Sequence, residues 1–161
     1  MAGKTVALKP GDKAPEIKLA SDSGEIFQLS RLKGKTVVLY FYPKADTPGC
    51  TTEACEFRDE ITGFSGRDSV VVGISPDPVA AQTKFKKKHG LPFTLLADTE
   101  HKAAEAYGVW KEKSMYGRKY MGVERTTFIV GPDGKVQRVF QKVKPAGHAA
   151  EVLAELAQPG G

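Results

Sequence analysis

Two cysteines are the residues of this chain best suited to chemistry. Cys50 and Cys55 are its only cysteines, and both lie in the stretch YPKADTPGCTTEACEFRDE, directly after a Thr-Pro-Gly turn. A thiol reacts as its thiolate, and a thiol with an ordinary pKa near 8.5 is only about 3 % ionised at pH 7. A reactive cysteine therefore needs neighbours that stabilise a negative charge.

The surroundings of Cys50 favour a thiolate. The residue follows the apolar run TVVLYFY and a turn, which predicts a place at the carboxyl end of a buried strand, where α/β proteins build their sites. Cys50 also opens a predicted helix, where free backbone N–H groups and the helix dipole attract an anion. Thr47, with Thr51 or Thr52, can add hydroxyl hydrogen bonds, and Pro43 stiffens the loop. A nearby positive charge is still missing from this set.

The spacing of Cys55 constrains what the pair can do. Residues five apart on a helix have Cα atoms about 8.7 Å apart, whereas a disulfide needs about 4.4–6.8 Å. The two thiols can bond only if the first helical turns unwind, and the segment GCTTEACEF has a low helix propensity. Burial of both cysteines as small apolar residues is the alternative. We expect Glu53 and Arg58 of this helix to form surface pairs, and Glu53 can also help to cap the loop.

A metal site is hard to complete around the cysteines. The chain has three histidines, His89, His101 and His148, and none lies within thirty residues of the pair. Nothing resembles the two clustered ligand pairs of a structural zinc site. We therefore interpret the histidines as solvated helix residues and expect no metal or organic cofactor.

Length and composition indicate an ordinary globular enzyme or binding protein. We expect one domain over residues 1–161, with a frayed tail at about 157–161. The formal charge is only +5, and no aromatic residues interleave with a basic stripe, which disfavours nucleic-acid binding. The sequence shows no signal peptide and no apolar run long enough to span a membrane, so we expect a cytoplasmic protein.

Strand-like and helix-like segments alternate along the chain in the order β-β-α-β-α-β-α-β-β-α. This order predicts an α/β fold with a central mixed sheet flanked by helices, N-terminal extension strands and an antiparallel hairpin at one side. In the second predicted helix, Asp77 is expected to cap, Pro78 to occupy the first position and Gly90 to end the helix. The predicted strands are 25–29, 36–42, 69–75, 93–98, 125–130 and 135–140, and the predicted helices are about 50–64, 77–90, 99–108 and 147–156.

The stretch PKADTPGC resembles the P-x-x-x-T/S-x-x-C active-site signature of the peroxiredoxins. With TTEACEFRD after it, the segment closely resembles the bacterioferritin comigratory protein, or PrxQ, subfamily. The likeness continues in order through GDKAPEIKL, VVLYFYPK, VVGISPD, KKHGLPFTLLAD, AYGVW and ERTTFIVGPDGKV. Such agreement over most of the chain is far more specific than the signature alone.

The resemblance implies a thioredoxin-like fold and a role for five residues. By position, Cys50 matches the peroxidatic nucleophile and Cys55 the resolving cysteine found in many PrxQ-type proteins. Thr47 matches the hydroxyl that contacts thiolate and peroxide, and Pro43 matches the proline that shields the pocket. Arg125 matches an arginine that reaches the nucleophile from a distant strand, and it would supply the missing positive charge.

The resemblance also implies a catalytic cycle. The cysteine is oxidised to a sulfenic acid by hydrogen peroxide or an alkyl hydroperoxide, an intramolecular disulfide forms, and thioredoxin or a similar dithiol protein reduces it. The protein is expected to be a monomer.

Two other hypotheses about the function remain. A thioredoxin-like disulfide oxidoreductase would need a C-x-x-C pair, whereas four residues separate these cysteines. A redox sensor would use the same helix switch without turnover.

Overall fold

The computed structural model describes residues 8–156 and is built around one mixed sheet. The elements are β1 (Lys18–Ala20), β2 (Ile26–Gln28), a 3₁₀ turn (Leu29–Leu32), β3 (Thr36–Phe41), α1 (Pro48–Asp59), α2 (Ile61–Ser65), β4 (Ser69–Ser75), α3 (Val79–His89), β5 (Thr94–Ala97), α4 (Lys102–Ala106), β6 (Trp110–Met115), β7 (Arg118–Val123), β8 (Thr126–Val130), β9 (Val136–Phe140) and α5 (His148–Leu156). The predicted tail at 157–161 lies outside the described residues. Within the described part of the chain, no helix is long and apolar enough to cross a membrane.

The central sheet has the strand order β5-β4-β3-β8-β9. Strands β3, β4 and β5 are parallel, whereas β8 is antiparallel to β3 and to β9. β3 lies in the middle, and successive side chains of a strand point to opposite faces. Val38 and Tyr40 enter the core on one face, and Val37 and Leu39 enter the core on the other. The unbroken apolar run in the sequence reflects this burial on both faces, and the predicted mixed sheet with flanking helices is confirmed.

Several elements differ from the sequence prediction. The predicted helix 50–64 starts earlier, at Pro48, and divides at Glu60, whose φ of −99° and ψ of 7° interrupt the helix. Asp77 does not cap the next helix, which has Pro78 at its N-cap. The Asp77 carboxylate instead accepts hydrogen bonds from the Ala45 N–H at 2.7 Å and the Ser75 hydroxyl at 2.6 Å. The left-handed Gly90 ends the helix as predicted.

Two strand pairings were not predicted. β1 pairs with β2 as a short antiparallel ribbon near the N-terminus. β6 and β7 form a separate antiparallel hairpin, joined by Tyr116 and Gly117, which both have positive φ. The sequence prediction assigned no strand between residues 108 and 125, whereas the structure has two strands there, joined by a two-residue hairpin turn.

Candidate active site

Cys50 lies in the first turn of α1, at the carboxyl end of β3. Thr47 is the N-cap, with extended backbone angles, and Pro48 occupies the first helical position. The Thr51 N–H donates to the Thr47 carbonyl at 2.8 Å. The N–H groups of Gly49 and Cys50 therefore precede the first helical hydrogen bond and can donate hydrogen bonds to an anion. The Cys50 side chain is buried in this position.

Arg125 supplies the positive charge that the sequence around Cys50 lacks. It lies between β7 and β8, and its Nη2 donates to the Cys50 Sγ at 3.3 Å. The other terminal nitrogen, Nη1, donates to Glu53 Oε1 at 2.6 Å. Gly49 leaves room for this approach, because a Cβ there would lie 3.2 Å from Arg125 Nη2, a tight contact that would shift the guanidinium slightly. The guanidinium thus bridges a thiol and a carboxylate on one helix.

Glu53 is a residue beside Cys50 that the sequence analysis placed wrongly. It was expected at the surface with Arg58, but it is fully buried, and Arg58 binds the His89 carbonyl at 2.7 Å and Asp59 at 3.0 Å. Glu53 Oε2 has no hydrogen-bond partner among the described residues. Burial raises the pKa of Glu53 to about 7, although the charge of Arg125 opposes the rise. Its position one turn after Cys50, on the buried stripe of α1, was the available signal.

The raised pKa of Glu53 predicts that stability falls as the pH rises from about 4.5 to about 7. Over that range the folded protein retains a proton that an unfolded chain has released, so alkalinisation favours unfolding. We expect Glu53 to contribute a decrease of about 1–3 kcal/mol in the free energy of unfolding. Urea titrations of the wild type and of Glu53→Gln between pH 5 and 8 measure it, because the difference between the two proteins isolates this carboxyl. Parallel stability curves would contradict the prediction.

Thr47 and Pro43 lie in a loop that several contacts hold in place. The Thr47 hydroxyl donates to the Lys44 carbonyl at 2.9 Å, and the described residues include no hydrogen bond between Thr47 and the cysteine thiol. Asp46, with a positive φ of 62°, binds the Lys88 ammonium at 3.0 Å. Pro43 is half-buried at the end of β3. The loop thus presents Thr47 at the start of α1, and among the described residues Arg125 is the one side chain that hydrogen-bonds to the thiol.

Both cysteines are free thiols on a wound helix. α1 continues without interruption from Pro48 to Asp59 and includes Cys50 and Cys55. Cys50 is buried, whereas Cys55 is half-buried. The structure therefore represents the arrangement in which the helix keeps the two sulfurs apart.

His148 is buried and not solvated, contrary to the sequence interpretation. On α5, its Nε2 lies 2.8 Å from the Thr127 hydroxyl and its Nδ1 lies 2.9 Å from a Glu151 carboxylate oxygen. The ring meets the edges of Phe57 and Phe140. Burial lowers the pKa of His148, which keeps the imidazole neutral in the core. This residue fastens α5 to α1 and β8.

The arrangement suits nucleophilic attack by a thiolate on a small electrophile. A buried sulfur lies beside a guanidinium and above unpaired N–H groups, and the same donors can bind an oxygen that becomes negative during the reaction. The described residues include no cluster of three or more His, Cys, Asp or Glu residues that could hold a metal ion.

Comparison with known proteins agrees with this geometry. The model of the AhpC/TSA family matches residues 10–139. Peroxiredoxin Bcp of Bacillus subtilis is 51 % identical over 151 residues, covering 94 % of this chain and 96 % of the relative. The bacterioferritin comigratory protein of Xanthomonas campestris superposes with a TM-score of 0.85 at 37 % identity, covering 95 % and 97 % of the two chains. A mutant of Xylella fastidiosa PrxQ superposes with a TM-score of 0.89 at 35 % identity, covering 94 % and 96 %. The chain belongs to the AhpC/TSA family and is a peroxidase of the Bcp/PrxQ type of peroxiredoxin, with the thioredoxin-like fold of that family.

Proposed function

We propose that Cys50 is the peroxidatic nucleophile of this enzyme and that Arg125 activates it. The observation that carries the proposal is the 3.3 Å hydrogen bond from Arg125 Nη2 to the Cys50 Sγ at the start of α1. The structure of the Xanthomonas campestris relative concerns its alkyl peroxide reduction activity, which supports alkyl hydroperoxides as substrates here, and we infer that the same attack reduces hydrogen peroxide.

The reaction begins with attack of the Cys50 thiolate on the terminal peroxide oxygen. The O–O bond breaks, the sulfur becomes a sulfenic acid, and the leaving alkoxide or hydroxide takes a proton to become alcohol or water. Arg125 and the first-turn N–H groups stabilise the negative charge as it moves between these atoms. The Thr47 hydroxyl donates a hydrogen bond to the Lys44 carbonyl, so its oxygen is free to accept a hydrogen bond from the peroxide O–H. Pro43 shields the pocket from water.

Cys55 then resolves the sulfenic acid by forming a disulfide with Cys50 and releasing water. The residues after Cys55 fix where unwinding must stop. Glu56 accepts a hydrogen bond from the Gly147 N–H at 2.8 Å, and the Phe57 ring stacks on Tyr40 at 4.7 Å in the core. The turns from 48 to 55 can therefore open while the end of α1 stays anchored, at the cost of exposing the Glu53 side of the helix.

Replacement of Cys55 by serine tests this role. We expect Cys55→Ser to consume one equivalent of peroxide per protein and then stop with thioredoxin as reductant, because no disulfide can form. Stopped-flow peroxide consumption gives the first turnover, and a coupled thioredoxin assay gives the steady state. A small thiol such as dithiothreitol should restore turnover and serves as the control. Sustained thioredoxin-dependent turnover by the variant would rule out the resolving role.

The remaining parts of the proposal concern partners and setting. We infer that thioredoxin or a similar dithiol protein is the reductant, since an exposed disulfide on an opened helix is a substrate for thiol exchange. We also propose that the chain acts as one domain and as a monomer. Two free thiols fit a cytoplasmic setting, where cellular reductants keep cysteines reduced.

A further inference from the structure

The hairpin of β6 and β7 ends beside the active site and presents a basic face. Its register pairs Lys111 with Gly122 and Lys113 with Tyr120. Directly paired residues point to the same face of a sheet, so these four residues share one face. β7 ends two residues before Arg125, which brings this hairpin next to the peroxidatic site.

Lys113 extends along this face toward the active site. Its side chain packs over Gly122, where a Cβ would lie 3.3 Å from Lys113 Cδ and 3.6 Å from Cε. Gly122 follows Tyr120, the residue paired with Lys113, by two positions, so the lysine side chain is directed toward the end of β7 that is nearest Arg125. Lys113 is half-buried. Burial and the charge of Arg125 lower the pKa of Lys113, whereas the charges of Cys50 and Glu124 oppose the decrease.

Lys113 also differs from the two cations nearest the site, Lys111 and Arg125, because it forms no salt bridge of its own among the described residues. Lys111 Nζ binds a Glu124 carboxylate oxygen at 3.0 Å, and Arg125 binds Glu53 at 2.6 Å. Within residues 8–156, Lys113 takes part in no salt bridge. A half-buried ammonium without a carboxylate partner is suited to an anion that arrives from solution.

We propose that Lys113 determines substrate specificity by binding the carboxylate of an anionic hydroperoxide while the peroxide group meets Cys50. The inference rests on the proposed function, because it names a class of substrate for the same site. Lysine is a compact charge on a flexible stem, so it can accept carboxylates at slightly different distances from the peroxide. Tyr120, paired with Lys113 and 44 % exposed, offers its ring to the carbon chain between the two groups.

A pair of synthetic peroxides that differ only in charge tests the proposal. The acid 4-hydroperoxy-4-methylpentanoate carries a carboxylate at neutral pH, and its dimethylamide is uncharged. With the full chain and a thioredoxin reducing system, kcat/KM for each peroxide is measured in the wild type and in Lys113→Gln. We expect the variant to lose about five- to tenfold for the acid and less than about twofold for the amide.

Lys119→Gln is the matched control, because Lys119 pairs with Ser114 on the opposite face of the same hairpin. This variant should leave both values of kcat/KM unchanged. Added salt should weaken the preference for the acid in the wild type and have little effect on the ratio in Lys113→Gln.

The results separate this inference from the proposed function. An equal loss for both peroxides in Lys113→Gln would mean that Lys113 acts on the cysteine and not on the substrate, which would overturn the specificity role. A ratio of kcat/KM for the acid to kcat/KM for the amide that is the same in Lys113→Gln as in the wild type would overturn the specificity role as well. A wild-type protein that consumes hydrogen peroxide but neither of these peroxides would overturn this inference alone, whereas one that consumes none of the three would overturn the proposed function.

Discussion

Replacement of Cys50 by serine should abolish peroxide consumption. A serine hydroxyl is not ionised beside Arg125 at neutral pH and cannot be oxidised to a sulfenic acid, so neither the first step nor the disulfide remains possible. Removal of a catalytic nucleophile costs other enzymes up to about 10⁶-fold, and we expect a loss of at least about 10⁴-fold in kcat/KM. Stopped-flow measurement with hydrogen peroxide is the direct test.

The fold provides the control for this variant. Serine is slightly smaller than cysteine, and the site it enters already contains donors for its hydroxyl oxygen, so circular dichroism and thermal unfolding should stay near the wild type. Thiol titration should find one reactive group, Cys55. A Cys50→Ser protein that still turns over peroxide would place the nucleophile elsewhere, and Cys55 would be the remaining candidate thiol.

The sequence predicted the part of the site that local physics controls. The apolar run before residue 42, the Thr-Pro-Gly turn and the start of a helix are adjacent in the chain, so their effect on Cys50 could be inferred without a structure. Arg125 is different. It lies 75 positions away from Cys50 in the chain, and only the resemblance to peroxiredoxins indicated it. Chain topology brings the two together because β8 pairs with β3 in the centre of the sheet.

Two of the features that sequence analysis missed, Glu53 and His148, share a physical cause, because each is a polar residue whose environment is set by distant elements. Glutamate is rarely buried without a partner, so Glu53 was interpreted as a surface residue, and its partner lies 72 positions away. His148 is buried because α5 packs on α1. The hairpin turn was missed because it uses Tyr116 and Gly117, whereas Asn-Gly is the usual signal for positive φ at both positions.

Removal of the guanidinium by Arg125→Met should lower kcat/KM for hydrogen peroxide by about 10²–10³-fold, the usual cost of losing one stabilising group at a site of developing charge. The Cys50 thiolate would lose its cationic neighbour, and the leaving oxygen would keep only the backbone donors. The kcat/KM of Arg125→Lys should lie between those of the wild type and Arg125→Met, because lysine keeps a charge but cannot bind Cys50 and Glu53 at the same time.

A second effect of Arg125→Met has to be separated from the first. The substitution removes the guanidinium that lowers the pKa of Glu53, so the buried carboxyl becomes protonated and loses its hydrogen-bond donor, at a cost of about 1–3 kcal/mol of stability. The double variant with Glu53→Gln cannot ionise at this position and should be more stable than Arg125→Met at high pH in urea titrations. It should not recover the peroxidase rate, because the thiolate still lacks its cation. Recovery of kcat/KM together with stability would show that Arg125 serves only to neutralise Glu53, and that the 3.3 Å contact with the sulfur contributes nothing to the reaction.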